Sequence, residues 1–146
     1  MEVASRPQYR WKTVHGLADH GTTAVDGSKV RQYVRTPKAS IVHCTLPRSA
    51  ISRATRNVGI EEVWIVTGGM GELWRREGDE AEVAALREGV CVTIPEGVDF
   101  QFRSLDEPLT FLCITMPPWP GPHANQPVSS QRWDPGGIAT TPTPER

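Results

Sequence analysis

Short apolar runs separated by turn residues occupy the chain between residues 28 and 116. Runs of this length, punctuated by Gly, Pro and Asp at regular intervals, predict the strands of a sandwich or barrel and leave little room for helix. The pattern therefore predicts an all-β fold, a small jelly-roll β-barrel. The predicted strands are residues 29–35, 39–46, 61–68, 71–77, 81–86, 89–95, 100–104 and 108–116.

The predicted strand 61–68 is apolar on both of its sides. Side chains two positions apart share one side of a strand, so Glu62, Trp64 and Val66 point one way. Glu61, Val63 and Ile65 point the other way. A strand that is apolar on both sides is covered on both, here by the barrel interior and by another sheet or subunit. We therefore expect a homodimer.

Both ends of the chain differ in character from its middle. We predict an N-terminal extension over residues 1–27, a barrel over residues 28–118 and a Pro- and Gly-rich tail over residues 119–146. Proline cannot donate to a sheet ladder, so the tail is expected to lie outside the sheets. Residues 135–146 are predicted to be disordered.

Charge and cysteine content narrow the classes of partner. Sixteen Lys and Arg residues nearly balance seventeen Asp and Glu residues, and without a basic stripe we expect a small-molecule ligand and no nucleic acid. No apolar run approaches the roughly 20 residues of a membrane span, and no signal peptide is evident, which predicts a cytoplasmic protein without membrane contact. Three widely spaced cysteines favour reduced thiols acting as small core residues, namely Cys44, Cys91 and Cys113.

Two spaced motifs within residues 39–118 resemble those of the cupin family. The family's second motif matches Gly89, Pro95 and Gly97, which places its histidine position on Phe100 and its asparagine position on Ser104. The first motif matches Glu62 and Gly69, which are separated by six residues. Its two histidine positions then fall on Thr55 and Asn57, and its opening glycine position on Ser49.

The resemblance implies a cupin barrel, also called a double-stranded β-helix, that lacks the usual metal-binding histidines. In the family, three His and one Glu hold a divalent metal, and here only Glu62 keeps its ligand type. Thr55 and Asn57 are poor ligands for transition metals, and Phe100 has no donor. We therefore expect no metal and no other cofactor. The sequence MPPWPG at residues 116–121 also resembles short bacterial cupins, some of which lie near natural-product pathways.

Glu62 is the leading catalytic candidate. Burial without a metal is expected to raise its pKa, and a desolvated carboxyl suits general acid–base catalysis. The alternative is a carboxylate that is kept only for structure. Thr55, Asn57 and an inward Arg53 would orient a substrate.

Further candidates depend on which way their side chains point. His43 alternates with the more apolar Val42 and Cys44, which favours the outer face, whereas an inward His43 would be a second catalytic base or a substitute ligand. The aromatic side chains expected inside, as core or as the walls of an apolar pocket, are Trp64, Trp74, Phe100 and Phe102.

These observations favour a metal-independent barrel that binds a small organic molecule. The leading hypothesis is a cofactor-free isomerase, dehydratase or cyclase of natural-product metabolism that uses Glu62 as its acid or base. One alternative is a non-catalytic binding or sensing module. The other is a metalloenzyme with rearranged ligands that include His43 and Glu62.

Overall fold

The computed structural model describes residues 11–136, which form eleven β-strands and one short 3-10 turn. Among these residues, no helix has the length and apolar character needed to cross a membrane. The strands are β1 (Thr22–Thr23), β2 (Lys29–Arg35), β3 (Ser40–Leu46), β4 (Thr55–Asn57), β5 (Glu61–Gly68), β6 (Met70–Glu77), β7 (Glu80–Arg87), β8 (Cys91–Ile94), β9 (Asp99–Ser104), β10 (Leu109–Met116) and β11 (Asn125–Pro127), with the 3-10 turn at Pro122–Ala124.

The strands form two antiparallel sheets that pack face to face, which confirms the predicted all-β jelly roll. The six-stranded sheet has the order β1-β2-β3-β10-β5-β8, and the five-stranded sheet has the order β11-β4-β9-β6-β7. All eight predicted strands are present within a few residues of their expected bounds. The short strands β1, β4 and β11 were not predicted from the sequence, because none of them carries an apolar run.

Strand β5 alternates as its sequence predicts. Glu62, Trp64 and Val66 are buried between the two sheets, while Glu61 and Ile65 are exposed on the other side. Neighbouring β10 contributes Phe111 and Cys113 to the same interior, in register with Val66 and Trp64.

Aromatic side chains from both sheets fill the centre of the barrel. Trp64 stacks on Phe111 with 3.9 Å between the ring centroids, and it meets the edge of Phe102 from the opposite sheet at 4.9 Å. Such aromatic pairs add about 0.5–1.5 kcal/mol beyond the area they bury. The aromatic cluster therefore holds the two sheets together around Trp64.

The prediction that the Pro-rich tail lies outside the sheets is wrong for its first half. Strand β11 pairs with β4, since Asn125 and Pro127 lie opposite Asn57 and Thr55. Farther along, the Gln101 side chain accepts hydrogen bonds from two backbone N–H groups, of Arg132 and Trp133. Of the residues predicted to be disordered, 135–146, those after Gly136 lie outside the described residues. Of the predicted N-terminal extension, the residues before Trp11 also lie outside them.

Two side chains lie on the opposite face from the one that the sequence predicted. Trp74 pairs in register with Gln101 on the outer face of the five-stranded sheet, whereas its neighbour Leu73 pairs with the inward Phe102. The prediction that Trp74 lies inside the barrel is therefore wrong. Cys91 is exposed at the start of β8, so it is not a core residue, whereas Cys44 and Cys113 are buried as predicted.

Two positions of the first motif have the backbone conformation that the motif requires. Ser49, at the opening glycine position, has a φ of 56°, in the left-handed region that glycine adopts most easily. Gly69 has a φ of 80°, and a Cβ atom there would lie 1.9 Å from the Pro108 carbonyl oxygen. Gly69 is therefore required both by its backbone conformation and by the close approach of the chain before β10.

A pair of glycine substitutions separates these two requirements. Gly78 also has a positive φ, of 63°, but no atom lies within 4 Å of its added Cβ. Gly78→Ala is expected to cost about 1–2 kcal/mol through its backbone conformation alone. Gly69→Ala adds an overpacking penalty of about 1–3 kcal/mol. The measurement is the free energy of unfolding in urea, and equal losses in the two variants would contradict the steric argument.

Candidate functional site

One inner row of the six-stranded sheet contains three polar side chains and one isoleucine. Ser40, Thr115, Glu62 and Ile94 lie side by side on β3, β10, β5 and β8, because the strand registers pair each with the next. All four are buried, with Glu62 only 5% exposed. This row is at one end of the sheet, beside the last residues of β10 and the first of β5. The barrel interior is thus apolar at its centre and polar at this end.

The Glu62 carboxyl is fixed by the core beneath it. Its Oε1 accepts a hydrogen bond of 2.8 Å from the Trp64 indole N–H. It also affects the thiol of Cys113 on the adjacent strand. A hydrogen bond with Cys44, burial and the nearby Glu62 charge together raise the pKa of Cys113. Glu62 therefore influences the protonation of the neighbouring Cys113 thiol.

The two former histidine positions of the first motif belong to a second polar group. Thr55 and Asn57 are fully buried on β4, and the Asn125 amide of β11 donates to both, at 3.0 Å to Thr55 Oγ1 and 2.9 Å to Asn57 Oδ1. We refer to Thr55, Asn57 and Asn125 as the amide cluster. Its third member comes from the predicted tail, about 70 residues farther along the chain.

The amide cluster leaves one donor and one acceptor open. Within residues 11–136, neither Asn57 Nδ2 nor Asn125 Oδ1 has a hydrogen-bond partner, although both atoms are buried. Turning both amides over exchanges the two roles, and one donor and one acceptor still remain open. An unsatisfied buried polar group costs about 1–3 kcal/mol, so such a pair marks a place for a ligand or an ordered water.

Trp64 connects the two polar groups through Phe100. Phe100 pairs in register with Thr55 across β9 and β4, and its ring meets the Trp64 ring at 6.1 Å. Trp64 in turn donates to Glu62. Of the four positions that the family motifs single out, Glu62 and Phe100 contact the indole directly, and Thr55 lies beside Phe100 on the neighbouring strand.

This set of side chains does not fit the metal that the family implies. Phe100 offers no donor, and the Asn57 carbonyl oxygen already accepts a hydrogen bond from Asn125. In the part of the chain that the structure describes, no group of three His, Cys, Asp or Glu side chains could hold a metal ion. The groups available for chemistry at this site are therefore its own carboxyl, amide and hydroxyl groups.

A small apolar cluster covers the polar end of the barrel. Ile60, Trp119 and Ala124 pack together, and Trp119 is only 8% exposed. The Trp119 backbone N–H donates to Ser40 Oγ at 3.0 Å, and Arg35 donates to its carbonyl at 2.8 Å. We call Ile60, Trp119 and Ala124 the cap, because they lie next to the polar row that contains Glu62.

An open depression of about 650 Å³ lies on the surface near the polar end of the barrel, between the β6–β7 hairpin and β8. Arg75 lines it and lies opposite Phe100 in the pairing of β6 with β9. Its guanidinium donates to the Thr93 carbonyl at 2.8 Å and to Glu82 at 2.6 Å. Arg75 therefore lines the depression from the strand position that lies opposite Phe100.

The structure brings together most of the predicted site residues. Glu62, Thr55, Asn57, Trp64, Phe100 and Phe102 all face the interior. Arg53 is half-buried just before β4, and its backbone N–H donates to the Asp26 carbonyl. Trp74 lies on the outer face of the five-stranded sheet.

His43 lies on the outer face of the six-stranded sheet, the orientation that its alternation favoured. It pairs with Arg31 on β2, while Val42 and Cys44 point inward. Burial lowers the pKa of His43, and the charge of Arg31 lowers it further. His43 and Glu62 are on opposite faces of one sheet, so the structure does not bring them together.

Asn125 is the site residue that the sequence did not indicate. It stands in a Pro-rich segment with no alternation and no motif spacing. Only the long-range pairing of β11 with β4 brings it to Asn57.

Comparisons with known proteins identify the architecture. No protein-family model matches the sequence, and no curated protein sequence matches it significantly. Solved structures do match. KdgF from Halomonas sp. matches at 18% identity and a TM-score of 0.56, and the match covers 70% of this chain and 88% of KdgF. Pac13, a nucleoside dehydratase, matches at 15% identity and a TM-score of 0.61, covering 82% of this chain and 91% of Pac13. The structure of Drosophila melanogaster CENP-C bound to CAL1 matches at 19% identity and a TM-score of 0.57, and the match covers 62% of this chain and 72% of that chain.

The burial of the thiols predicts their reactivity. In the native protein, Cys91 is expected to react with a thiol reagent such as DTNB, because it is exposed, whereas Cys44 and Cys113 are buried. The raised pKa of Cys113 further lowers its thiolate fraction. The measurement is the number of thiols titrated before and after unfolding, with Cys91→Ser as the control that removes the native reaction. Rapid native labelling of Cys44 or Cys113 would contradict the buried site.

Proposed function

We propose that this chain, which has a cupin fold, binds a small polar organic molecule at the Glu62 end of its barrel. We further propose that it transfers protons on that molecule through the Glu62 carboxyl, without a metal or other cofactor. The observation that carries this proposal is the open donor and acceptor pair of Asn57 and Asn125, buried at the former metal-ligand positions.

Ligand recognition follows from the amide cluster. A bound molecule that presents a carbonyl beside an N–H or O–H group would satisfy the open donor and acceptor together. Each such bond relieves the cost of an unpaired buried group, which gives a polar ligand an advantage over an apolar one of the same size. The aromatic rings of Phe100 and Trp64 supply flat apolar surface beside these groups.

Proton transfer follows from the position of Glu62. Its carboxyl is buried, and the Trp64 N–H orients one of its oxygens. Dehydration, isomerisation and cyclisation each require a proton to be removed at one atom and returned at another, which one carboxyl can do in turn. The Thr115 hydroxyl on the neighbouring strand lies in the same row, where it could hold a hydroxyl group of the substrate. Pac13, a dehydratase with the same fold, is consistent with this chemistry.

A non-catalytic binding role is the second candidate. It needs only the open donor and acceptor of the amide cluster and the aromatic rings beside them, without proton transfer by Glu62. The other alternative, a metalloenzyme that uses His43 and Glu62 as ligands, loses its basis, because the two side chains lie on opposite faces of the sheet.

The Glu62→Gln variant tests the proposed reaction. Gln keeps an oxygen that can accept the Trp64 N–H but removes the titrating group. Ligands are first found by thermal shift with nucleosides, hydroxy acids and hydroxylated aromatic compounds, and turnover of each hit is followed by NMR. We expect Glu62→Gln to retain ligand affinity and to lose about 100-fold or more of turnover. The adjacent, outward Glu61→Gln is the matched control and should keep full turnover.

Two outcomes would contradict parts of this proposal. Full turnover by Glu62→Gln would reject the acid–base role, and ligand binding without turnover in the native protein would favour the binding module. Stoichiometric Mn, Fe, Ni or Zn in protein purified without chelator, with activity lost on metal removal, would reject metal independence.

The Asn125→Ala variant tests ligand recognition separately. Removing the amide deletes one of the groups that we assign to the ligand, so affinity measured by calorimetry should fall about 10-fold, which corresponds to about 1.4 kcal/mol. Gln126→Ala, the exposed neighbour on the same strand, should bind as the native chain does. An unchanged affinity in Asn125→Ala would mean that the ligand does not contact the amide cluster.

A further inference from the structure

The groups that we assign to the ligand are enclosed by the protein itself. Glu62 is 5% exposed, Asn125 is 2% exposed, and Asn57 is not exposed at all. A small molecule therefore reaches these groups only if part of this end of the barrel moves.

The strands beside Glu62 are unsuited to that movement. β10 pairs with β3 from Leu109 to Thr115, and it pairs with β5 without a break from Phe111 to Met116. Separating either pair would leave a run of backbone N–H and C=O groups without partners. It would also divide the core, since Phe111 stacks on the Trp64 ring of β5. The opening must therefore lie outside these strands.

Residues 117–121, which follow β10, are built differently. They belong to neither a strand nor the 3-10 turn. Three of the five are proline, which has no N–H to donate to a sheet. Trp119 connects them with the barrel, because its side chain is buried in the cap and its backbone hydrogen bonds with Ser40 and Arg35. Release of Trp119 would therefore free the whole segment without breaking a sheet.

A bend at Gly121 joins this segment to the 3-10 turn that follows. Gly121 has a φ of 140° and a ψ of 173°, a conformation that is almost confined to glycine. Its carbonyl accepts a hydrogen bond of 3.1 Å from the Ala124 N–H. Trp119 before the bend and Ala124 after it both belong to the cap, together with Ile60. We call residues 117–124 the lid.

The two ends of the lid are held unequally. Its first residue follows β10, a strand of eight residues that is paired on both sides. Its last residue precedes β11, a strand of three residues at the edge of the five-stranded sheet, which pairs with β4 alone among the described strands. The end next to β11 is therefore the weaker one, and β11 begins with Asn125 of the amide cluster.

We propose that the lid opens to admit small molecules to the Glu62 end of the barrel, and that Asn125 moves with it. The amide cluster is then complete only when the lid is closed. A ligand that bonds with both Asn57 and Asn125 therefore favours the closed state, because the open state lacks one of its two partners. This inference rests on the proposed ligand site and is independent of proton transfer by Glu62.

A thiol beneath the lid measures its opening. Thr115→Cys, made in a Cys91→Ser chain, places a thiol in the row beside Glu62, and Cys44 is the buried reference in the same molecule. Methyl methanethiosulfonate is the small-molecule probe, and peptide mass spectrometry follows the labelling of each thiol. We expect the thiol at position 115 to be labelled about 10-fold or more faster than Cys44, with little dependence on dilute urea. Labelling that requires global unfolding would instead rise steeply with urea.

Variants of the lid identify the contacts that hold it closed. Trp119→Ala removes the buried side chain and should speed labelling at position 115 about 100-fold. Arg35→Ala and Asn125→Ala each remove hydrogen bonds of the lid or of the strand that follows it, and each should speed labelling about 10-fold. Trp11→Ala and Lys29→Ala are the matched controls and should label as the parent chain does, since both side chains are exposed and Lys29 lies at the other end of β2 from Arg35.

The outcomes separate the lid from the proposed function. Equal labelling of position 115 and Cys44, with the same steep urea dependence, would overturn the lid. Faster labelling in Trp119→Ala but not in Asn125→Ala would reject the movement of Asn125. If circular dichroism shows that Thr115→Cys is unfolded, the native Cys113 replaces it as the reporter, and the same order of variants is expected. Fast labelling in a chain that binds no ligand would support the lid and reject only the proposed function.

Discussion

The Trp64 indole is the contact on which both the core and the candidate site depend. Its ring stacks on Phe111 within one sheet and meets Phe102 and Phe100 from the other. A buried indole N–H needs an acceptor, and the Glu62 carboxyl provides it. The position of Glu62 is therefore set by the packing of the core around Trp64.

Phe100 explains why the polar part of the interior is confined to one end. An aromatic ring at a family histidine position extends the hydrophobic core into what would be the metal site, and it packs against Trp64. The remaining polar groups are the amide cluster and the row of Ser40, Thr115 and Glu62. Hydroxyl and amide groups recognise a ligand by the geometry of its hydrogen bonds, so selectivity here would come from shape and pairing of donors with acceptors.

The sequence predicted the features that are set locally and missed those that are set by register. Alternation within one strand placed Glu62 and Trp64 inside, and motif spacing identified Ser49 as a glycine position, which its positive φ confirms. The face of Trp74 depends on how β6 pairs with β9, which no short pattern encodes. Asn125 reaches the site only through the pairing of β11 with β4, across about 70 residues.

The two faces of β5 are fixed by one strand register, and the proposed reaction depends on that register. Because side chains alternate along a strand, the residues that hold Glu62 and Trp64 inside also fix Glu61, Val63 and Ile65 outside. A slip of one residue would exchange the two sets and turn Trp64 out of the aromatic core, so the packing of that core penalises every register except the one that points Glu62 inward. The packing of the core thereby also sets the orientation of the carboxyl that we propose as the acid–base group.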